Sequence, residues 1–297
     1  MTGILLVDKP SGMTSHDVVD CIRKAAQMKR IGHTGTLDPA ATGLLILCLG
    51  NATRLSEFLT GLDKVYEGTM RFGIITDSYD LDGKVVEERP VPKLTPEQIQ
   101  EAFDAFSGEI MQVPPMVSAV KVGGERLYKL ARKGETVERE PRKVTVREFS
   151  LLNYAEPDAA FRIRCTRGTY ARSLAYDVGE RLGCGASLAS LRRTAVGKHT
   201  IELAKPVSAF SSPEDVAASL RSVNDALDLP SITVRNASRN VVLTGGTLDR
   251  PDLKADCPVN QGWVQVKAEN GELLALGEVQ FEDGIARVQP KRVLGAR

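Results

Sequence analysis

Apolar and polar positions along this chain follow two periods, and the switches between them outline the elements. Residues 3–9, "GILLVDK", form an apolar run closed by a Pro10–Gly12 turn, which predicts a short strand. From Thr14 the period becomes helical. Val18, Ile22, Ala25 and Ala26 make one stripe, and Thr14 with Asp17 carries the signature of a capping box. Residues 44–49 are continuously apolar, the pattern of a buried strand. "KVYEGTMRFG" and "FRIRCTRG" alternate with a period of two, so Phe161, Ile163 and Cys165 should share a face. A second capped helix is predicted from Thr95, with Pro96 at its first position and Gly108 just past its end. A short basic helix should cover 126–133, closed by Gly134, and "YARSLAYDVGERLG" also reads as helical.

Strands and helices mix without a regular βαβ repeat. The expected class is therefore α+β, with a mixed, mostly antiparallel sheet flanked by helices. Near "DLPSITV", 228–234, the chain changes to short β segments separated by the hairpin signals "ENGE" and "EDG". This predicts a large domain over 1–229 and a small β-rich domain over 230–297.

Composition adds exclusions. A hydrophobic fraction of 42% and a charged fraction of 26% are ordinary for a globular chain. No apolar run approaches the roughly 20 residues of a membrane helix, and no secretory signal opens the chain, so a cytoplasmic protein is expected. Five cysteines without a CxxC pair, and only three histidines, argue against a disulfide framework or a zinc site; Cys48 and Cys165 read as core. The net charge of +1 hides a strong segregation. Residues 77–109 hold nine acids against three bases, 121–147 nine bases against four acids, and 161–200 eight bases against two acids. If the basic stretches share a face they make a footprint for a polyanion, and the acidic stretch is expected to face away from it.

One loop stands out for chemistry. "KRIGHTGTLDPAATGLLILCLG", from Lys29, holds a single carboxylate, Asp38, among glycines and before Pro39. Pro39 fixes its own φ and biases Asp38 toward an extended conformation, which orients the carboxylate. The same residues also suit a plain structural turn. No Gly-Lys-Ser/Thr follows, which excludes a P-loop, and no second acid lies in the loop for paired-carboxylate hydrolysis. "DKPSGMTS" places Lys9 before a helix N-terminus, a position that suits an anion. "RGTYARSLA" places Tyr170 and Arg172 two apart after an alternating strand, which would point them the same way.

Taken together, "GILLVDKPSGMTSHDVV", "GHTGTLDPAATGLLILCLGNATRL", "KVYEGTMRFG", "VPPMVSAVKVGGERLYKLARKG" and "RGTYARSLAYDVGERLG" resemble the TruB family of tRNA pseudouridine-55 synthases. The tail, from "NGELLALGEV" to "VQPKRVL", resembles the small PUA RNA-binding domain that ends many members. The resemblance implies a pseudouridine-synthase-like sheet, with an RNA-gripping insert at about 121–147, and isomerisation of uridine 55 in the TΨC loop of tRNA. It implies no cofactor and no metal. Asp38 falls on the catalytic aspartate, Arg172 on the arginine that pairs with it, and Tyr66 on the active-site tyrosine that stacks on the base and is a candidate for proton removal. Tyr170 matches a second aromatic of the pocket, and His33 a histidine that contacts the everted RNA. Lys9 matches the flanking motif, either serving a phosphate or bracing the aspartate loop. "SLRRTAVGKH", from Ser190, would add further cations for RNA. The implied partner is the tRNA TΨC stem-loop, with no membrane and no obligate protein partner; a monomer is expected. Two alternatives remain open: a guide-RNA-dependent, dyskerin-like subunit, and an RNA-binding protein without chemistry.

Overall fold

The computed structural model describes the chain apart from residues 119, 123, 128–129, 131–134, 136, 255–260, 283–284 and 296–297. Its first elements are β1 (Gly3–Lys9), α1 (Ser15–Ala26), β2 (Ile31–His33), β3 (Thr42–Leu49), α2 (Ser56–Gly61), β4 (Lys64–Phe72), β5 (Ile74–Thr76) and β6 (Val85–Glu88). Next come α3 (Pro96–Asp104), β7 (Gly108–Gln112), the short pair β8 (Lys121–Val122) and β9 (Glu125–Arg126), β10 (Arg142–Ala155), β11 (Asp158–Cys165) and α4 (Ala171–Leu182). The chain continues through β12 (Ala186–Val196), β13 (His199–Thr200), β14 (Lys205–Pro206), α5 (Pro213–Ser219), β15 (Ser231–Thr233), α6 (Arg239–Thr244), β16 (Gly262–Lys267), β17 (Leu273–Glu282) and β18 (Ile285–Val293).

The main sheet runs β14-β1-β3-β12-β4-β11-β10-β7, with β2 added to β3 and β13 to β12. Only the β1–β14 and β3–β12 pairs are parallel; the rest are antiparallel, as the α+β expectation requires. β3 lies between β1 and β12, which explains its unbroken apolar run. Leu44, Ile46 and Cys48 enter one core on one face, and Leu45, Leu47 and Leu49 enter another on the opposite face. Each such leucine contributes about 1.5–3 kcal/mol when fully buried, so the strand behind the Asp38 loop is firmly held.

A third core lies between the β4, β10 and β11 region of the sheet and helices α3 and α4. Phe161, Ile163 and Cys165 share its face as expected, and Phe103 stacks on Phe149 with ring centroids 4.0 Å apart. The predicted capping boxes are present at Thr14–Asp17 and Thr95–Gln98. Val18, Ile22, Ala25 and Ala26 are buried as a stripe. One boundary differs. α3 ends at Asp104, and Gly108 opens β7 instead of closing the helix. The basic helix expected over 126–133 falls largely outside the described residues.

β15 to β18 form a second, four-stranded sheet with its own apolar core. It also shares a core with the main sheet, through Leu273, Leu276 and Leu294, and Trp263 packs edge-on against Phe58 at 4.6 Å. Among the described residues no helix is long and apolar enough to cross a membrane. Cys48 and Cys165 are buried, and burial pushes both thiols up to about 11, which suits core residues and not nucleophiles. Cys257 lies outside the described residues.

Candidate active site

The loop between β2 and β3 is tied down on both sides of Asp38. On the N-terminal side, Ser15 at the start of α1 accepts a hydrogen bond from the Leu37 amide at 2.9 Å and donates to the Leu37 carbonyl at 3.2 Å. On the C-terminal side, Lys9 donates to the Pro39 and Pro10 carbonyls at 3.0 and 2.9 Å, and the Gly12 amide donates to the Pro39 carbonyl at 2.9 Å. Lys9 is fully buried, and burial lowers its pKa despite the nearby Asp38 charge. Its hydrogen bonds place the ammonium behind the aspartate loop, against two proline carbonyls.

Asp38 itself stays about half exposed, and its Oδ2 lies 2.9 Å from Nη2 of Arg172. Arg172 sits in the first turn of α4 with only 4% of its side chain exposed. The guanidinium serves four acceptors: Asp38, the Val117 carbonyl at 2.8 Å, the Ser78 carbonyl at 3.2 Å and the Asp80 carboxylate at 3.5 Å. A planar fork can serve separate acceptors at once; an ammonium on a flexible stem matches that geometry poorly. Arg172→Lys is therefore expected to leave at least one buried acceptor without a partner and to cost about 1–3 kcal/mol of stability, which chemical unfolding would show.

Three cavities meet at this ion pair; one, about 350 Å³, is lined by Asp38, Asp77, Asp80 and Asp82 against Lys84 and Arg172, and the other two differ in charge. The larger, about 690 Å³, is lined by Asp38, Glu67, Asp80 and Asp82 against Arg172 and Arg192, so its acids outnumber its bases. The smaller, about 260 Å³, is lined by Asp38 alone among acids, against Lys64, Arg167, Arg172 and Arg193. That balance makes the smaller cavity the one that attracts an anion. Tyr66, from β4, and Tyr170, at the N-cap of α4, both line it, with Leu191. Burial raises the Tyr66 pKa, opposed by the charge of Arg193. The group is thus a neutral phenol at neutral pH. Ser118 also lines this cavity, and its buried hydroxyl has no hydrogen-bond partner among the described residues.

Lys64 is buried at the cavity edge, donating to the Thr60 and Leu62 carbonyls at 2.5 Å each. Burial lowers its pKa from 10.5 to about 8. Between those values the unfolded chain holds a proton that the folded chain has released, so this group makes stability rise with pH across that window. Chemical unfolding of wild type and Lys64→Met should show wild type gaining on the variant from about pH 8 toward 10.5. A constant difference across that range would count against the burial account.

His33 lies on β2; its Nδ1 accepts the Gly35 amide at 3.4 Å, and burial lowers its pKa. Several sequence expectations are corrected here. Tyr170 and Arg172 do not lie along a strand, because β11 stops at Cys165; the helix N-terminus brings them to the cavity. The acidic stretch does not face away throughout, since Asp80 and Asp82 line the larger cavity and Asp80 pairs with Arg172. Nor does "SLRRTAVGKH" offer a row of free cations. Arg192 pairs with Asp8 at 2.8 Å, Lys198 with Asp228 at 2.7 Å, and His199 is buried. Arg193 is buried and donates to the Leu44 and Gly35 carbonyls at 2.7 and 3.0 Å. Arg193, Asp80 and Lys64 are site residues that the sequence did not single out. A charged residue inside an alternating strand was the available signal for Lys64 alone. Among the described residues no group of three or more His, Cys, Asp or Glu is placed to hold a metal ion.

Comparison with known proteins gives a consistent assignment. Residues 23–171 match the family model described as TruB family pseudouridylate synthase (N terminal domain). Residues 172–226 match the tRNA pseudouridylate synthase B C-terminal domain. A tRNA pseudouridine synthase B of Stutzerimonas stutzeri is 40% identical over 99% of this chain and 96% of its own length. One from Opitutus terrae is 54% identical over 71% of this chain and 88% of its own length. Among solved structures, a chain of an H/ACA RNP bound to a substrate RNA containing 2′-deoxyuridine superposes with a TM-score of 0.75 and 25% identity, covering 99% of this chain and 86% of that one. A Cbf5-Nop10-Gar1 complex gives 0.75 and 27%, covering 99% and 85%.

Proposed function

Because the chain belongs to the TruB family of pseudouridylate synthases, we propose that it isomerises uridine to pseudouridine in tRNA, at position 55 of the TΨC loop. The observation that carries this reading is the Asp38 carboxylate, half exposed and 2.9 Å from the buried Arg172 guanidinium, at the mouth of a cationic cavity lined by Tyr66 and Tyr170.

The chemistry follows from that geometry. A uridine stacked within a folded loop cannot reach Asp38, so the base is everted into the smaller cavity, where a tyrosine ring replaces its stacking partners. Asp38 acts as nucleophile or base while the N1–C1′ bond breaks; the uracil turns, C5 bonds to C1′, the C5 proton leaves, and N1 takes up a proton from solvent. Attack at C6, attack at C1′ and elimination through a glycal all fit one carboxylate in this place. Arg172 holds Asp38 ionised and aimed. Atoms balance without oxidant, reductant or added water, so the reaction requires no cofactor or metal. Residues 230–297 are assigned as a PUA-like RNA-binding domain, supported by their separate β-sheet, and residues 121–147 as an RNA-gripping insert, supported by their charge.

The test is tritium release from a bare tRNA transcript labelled at uracil C5, with no other protein or RNA present. One equivalent released per tRNA, and none from a transcript carrying cytidine at position 55, is the expected result. The likeness to Cbf5 in a ribonucleoprotein favours a second reading, in which the chain works with a guide RNA and partners. Release only when such components are added would replace the first reading with that one.

A further inference from the structure

The four acceptors around Arg172 include two from one tight turn, the Ser78 carbonyl and the Asp80 carboxylate. For the groups before and after one residue to converge on a single guanidinium, the chain must reverse at that residue. It does so at Tyr79, whose φ is +64°. Side chains of this size rarely adopt that conformation, and they hold it only when the surroundings enforce it.

Two features enforce it. The Tyr79 carbonyl accepts the Leu188 amide of β12 at 2.9 Å, and the Leu81 amide donates back to the Leu188 carbonyl at 3.0 Å. The Tyr79 ring stacks on Tyr176, with centroids 4.2 Å apart and planes 23° from parallel. Tyr176 lies on α4 four residues after Arg172, so both side chains leave one face of the same helix. The acidic turn is thereby fastened to that helix at two points one turn apart: by charge at Arg172 and by ring stacking at Tyr176. Neither ring lines any of the three cavities.

We propose that the Tyr79–Tyr176 stack is a positioning device for the reaction, holding Ser78 and Asp80 on Arg172 and through it fixing the direction of the Asp38 carboxylate. This rests on the isomerase reading above. The stack does not touch substrate, so its effect falls on the chemical step and not on RNA affinity.

Single-turnover tritium release and RNA binding, measured on the full chain, test it. Tyr176→Ala and Tyr79→Ala should each slow release about tenfold or more, with RNA affinity changed by less than about twofold. Tyr176→Phe and Tyr79→Phe, which keep the stack, should stay near wild type. In an Asp80→Asn background, Tyr176→Ala should add almost nothing, because the two changes break one linkage. Full additivity there, or alanine variants as fast as wild type, overturns the proposal. Tyr79→Leu, which fills the space without a stack, gives the same reading should Tyr176→Ala fail to fold. If the alanine variants release tritium as fast as an active wild type, the positioning idea alone falls; no release by wild type overturns both readings.

Discussion

Asp38→Asn is expected to abolish isomerisation while leaving RNA binding intact. Asparagine keeps the size of the side chain and one acceptor oxygen, so the loop held by Ser15, Lys9 and Gly12 has no reason to move. What disappears is the negative charge. An amide is neither a competent nucleophile at a sugar carbon nor a stabiliser of positive charge developing at C1′. Arg172 keeps Asp80 as an ionic partner, so no buried charge is stranded and the fold should be unaffected. A loss of at least about 1,000-fold, or roughly 4 kcal/mol of barrier, is expected in single-turnover tritium release. Filter binding should show an unchanged complex. A residual rate within tenfold of wild type would remove Asp38 from the chemistry.

The second large effect concerns stability. Gly43 lies opposite Arg193 where β3 pairs with β12, with φ at +102°, and a Cβ built there would lie 2.3 Å from the Arg193 carbonyl oxygen and 2.7 Å from its amide nitrogen. Both atoms are backbone in the centre of the sheet and cannot swing aside. Gly43→Ala is expected to cost about 3–5 kcal/mol and lower Tm by roughly 10 °C. Gly12 supplies the control. It also has a positive φ, +85°, but nothing lies within 4 Å of its added Cβ. Gly12→Ala should therefore cost only about 1 kcal/mol, the strain of the dihedral alone. Equal losses at the two sites in chemical unfolding would show that dihedral strain, not the close approach to Arg193, governs Gly43.

Elements with a local cause were legible in the sequence. The capping boxes at Thr14 and Thr95 specify helix starts because donor and acceptor lie three residues apart. The alternation in β11 specifies a face because only one side meets the helices. The Asp38 loop was recognisable by its own motif. What stayed hidden depends on register between distant segments. Arg193 reads as a surface cation, yet it lies opposite Gly43 across the parallel β3–β12 pair and has its guanidinium on the carbonyls of Leu44 and Gly35. Asp80 reads as one acid in an acidic stretch, and only the turn at Tyr79 brings it to Arg172. Arg172 is aimed by the start of the helix that "YARSLAYDVGERLG" predicts, not by the strand before it. Summed charge along a stretch says nothing about which members are already paired.

The core shared between the two sheets has a consequence for how the chain can be dissected. Leu273, Leu276 and Leu294 pack with Ile4, Leu44 and Leu55, the Asn51 side chain donates to the Leu294 carbonyl at 2.8 Å, and Arg292 pairs with Glu57 at 2.7 Å. Cutting the chain before the second sheet would leave that apolar surface facing water and thin the support beneath β3. The truncated enzyme would lose cooperativity of unfolding along with any RNA contact, and the two losses could not be separated. The two sheets should melt in a single transition, and the role of the last residues in RNA binding is best read from charge reversals on the outer face of the intact chain.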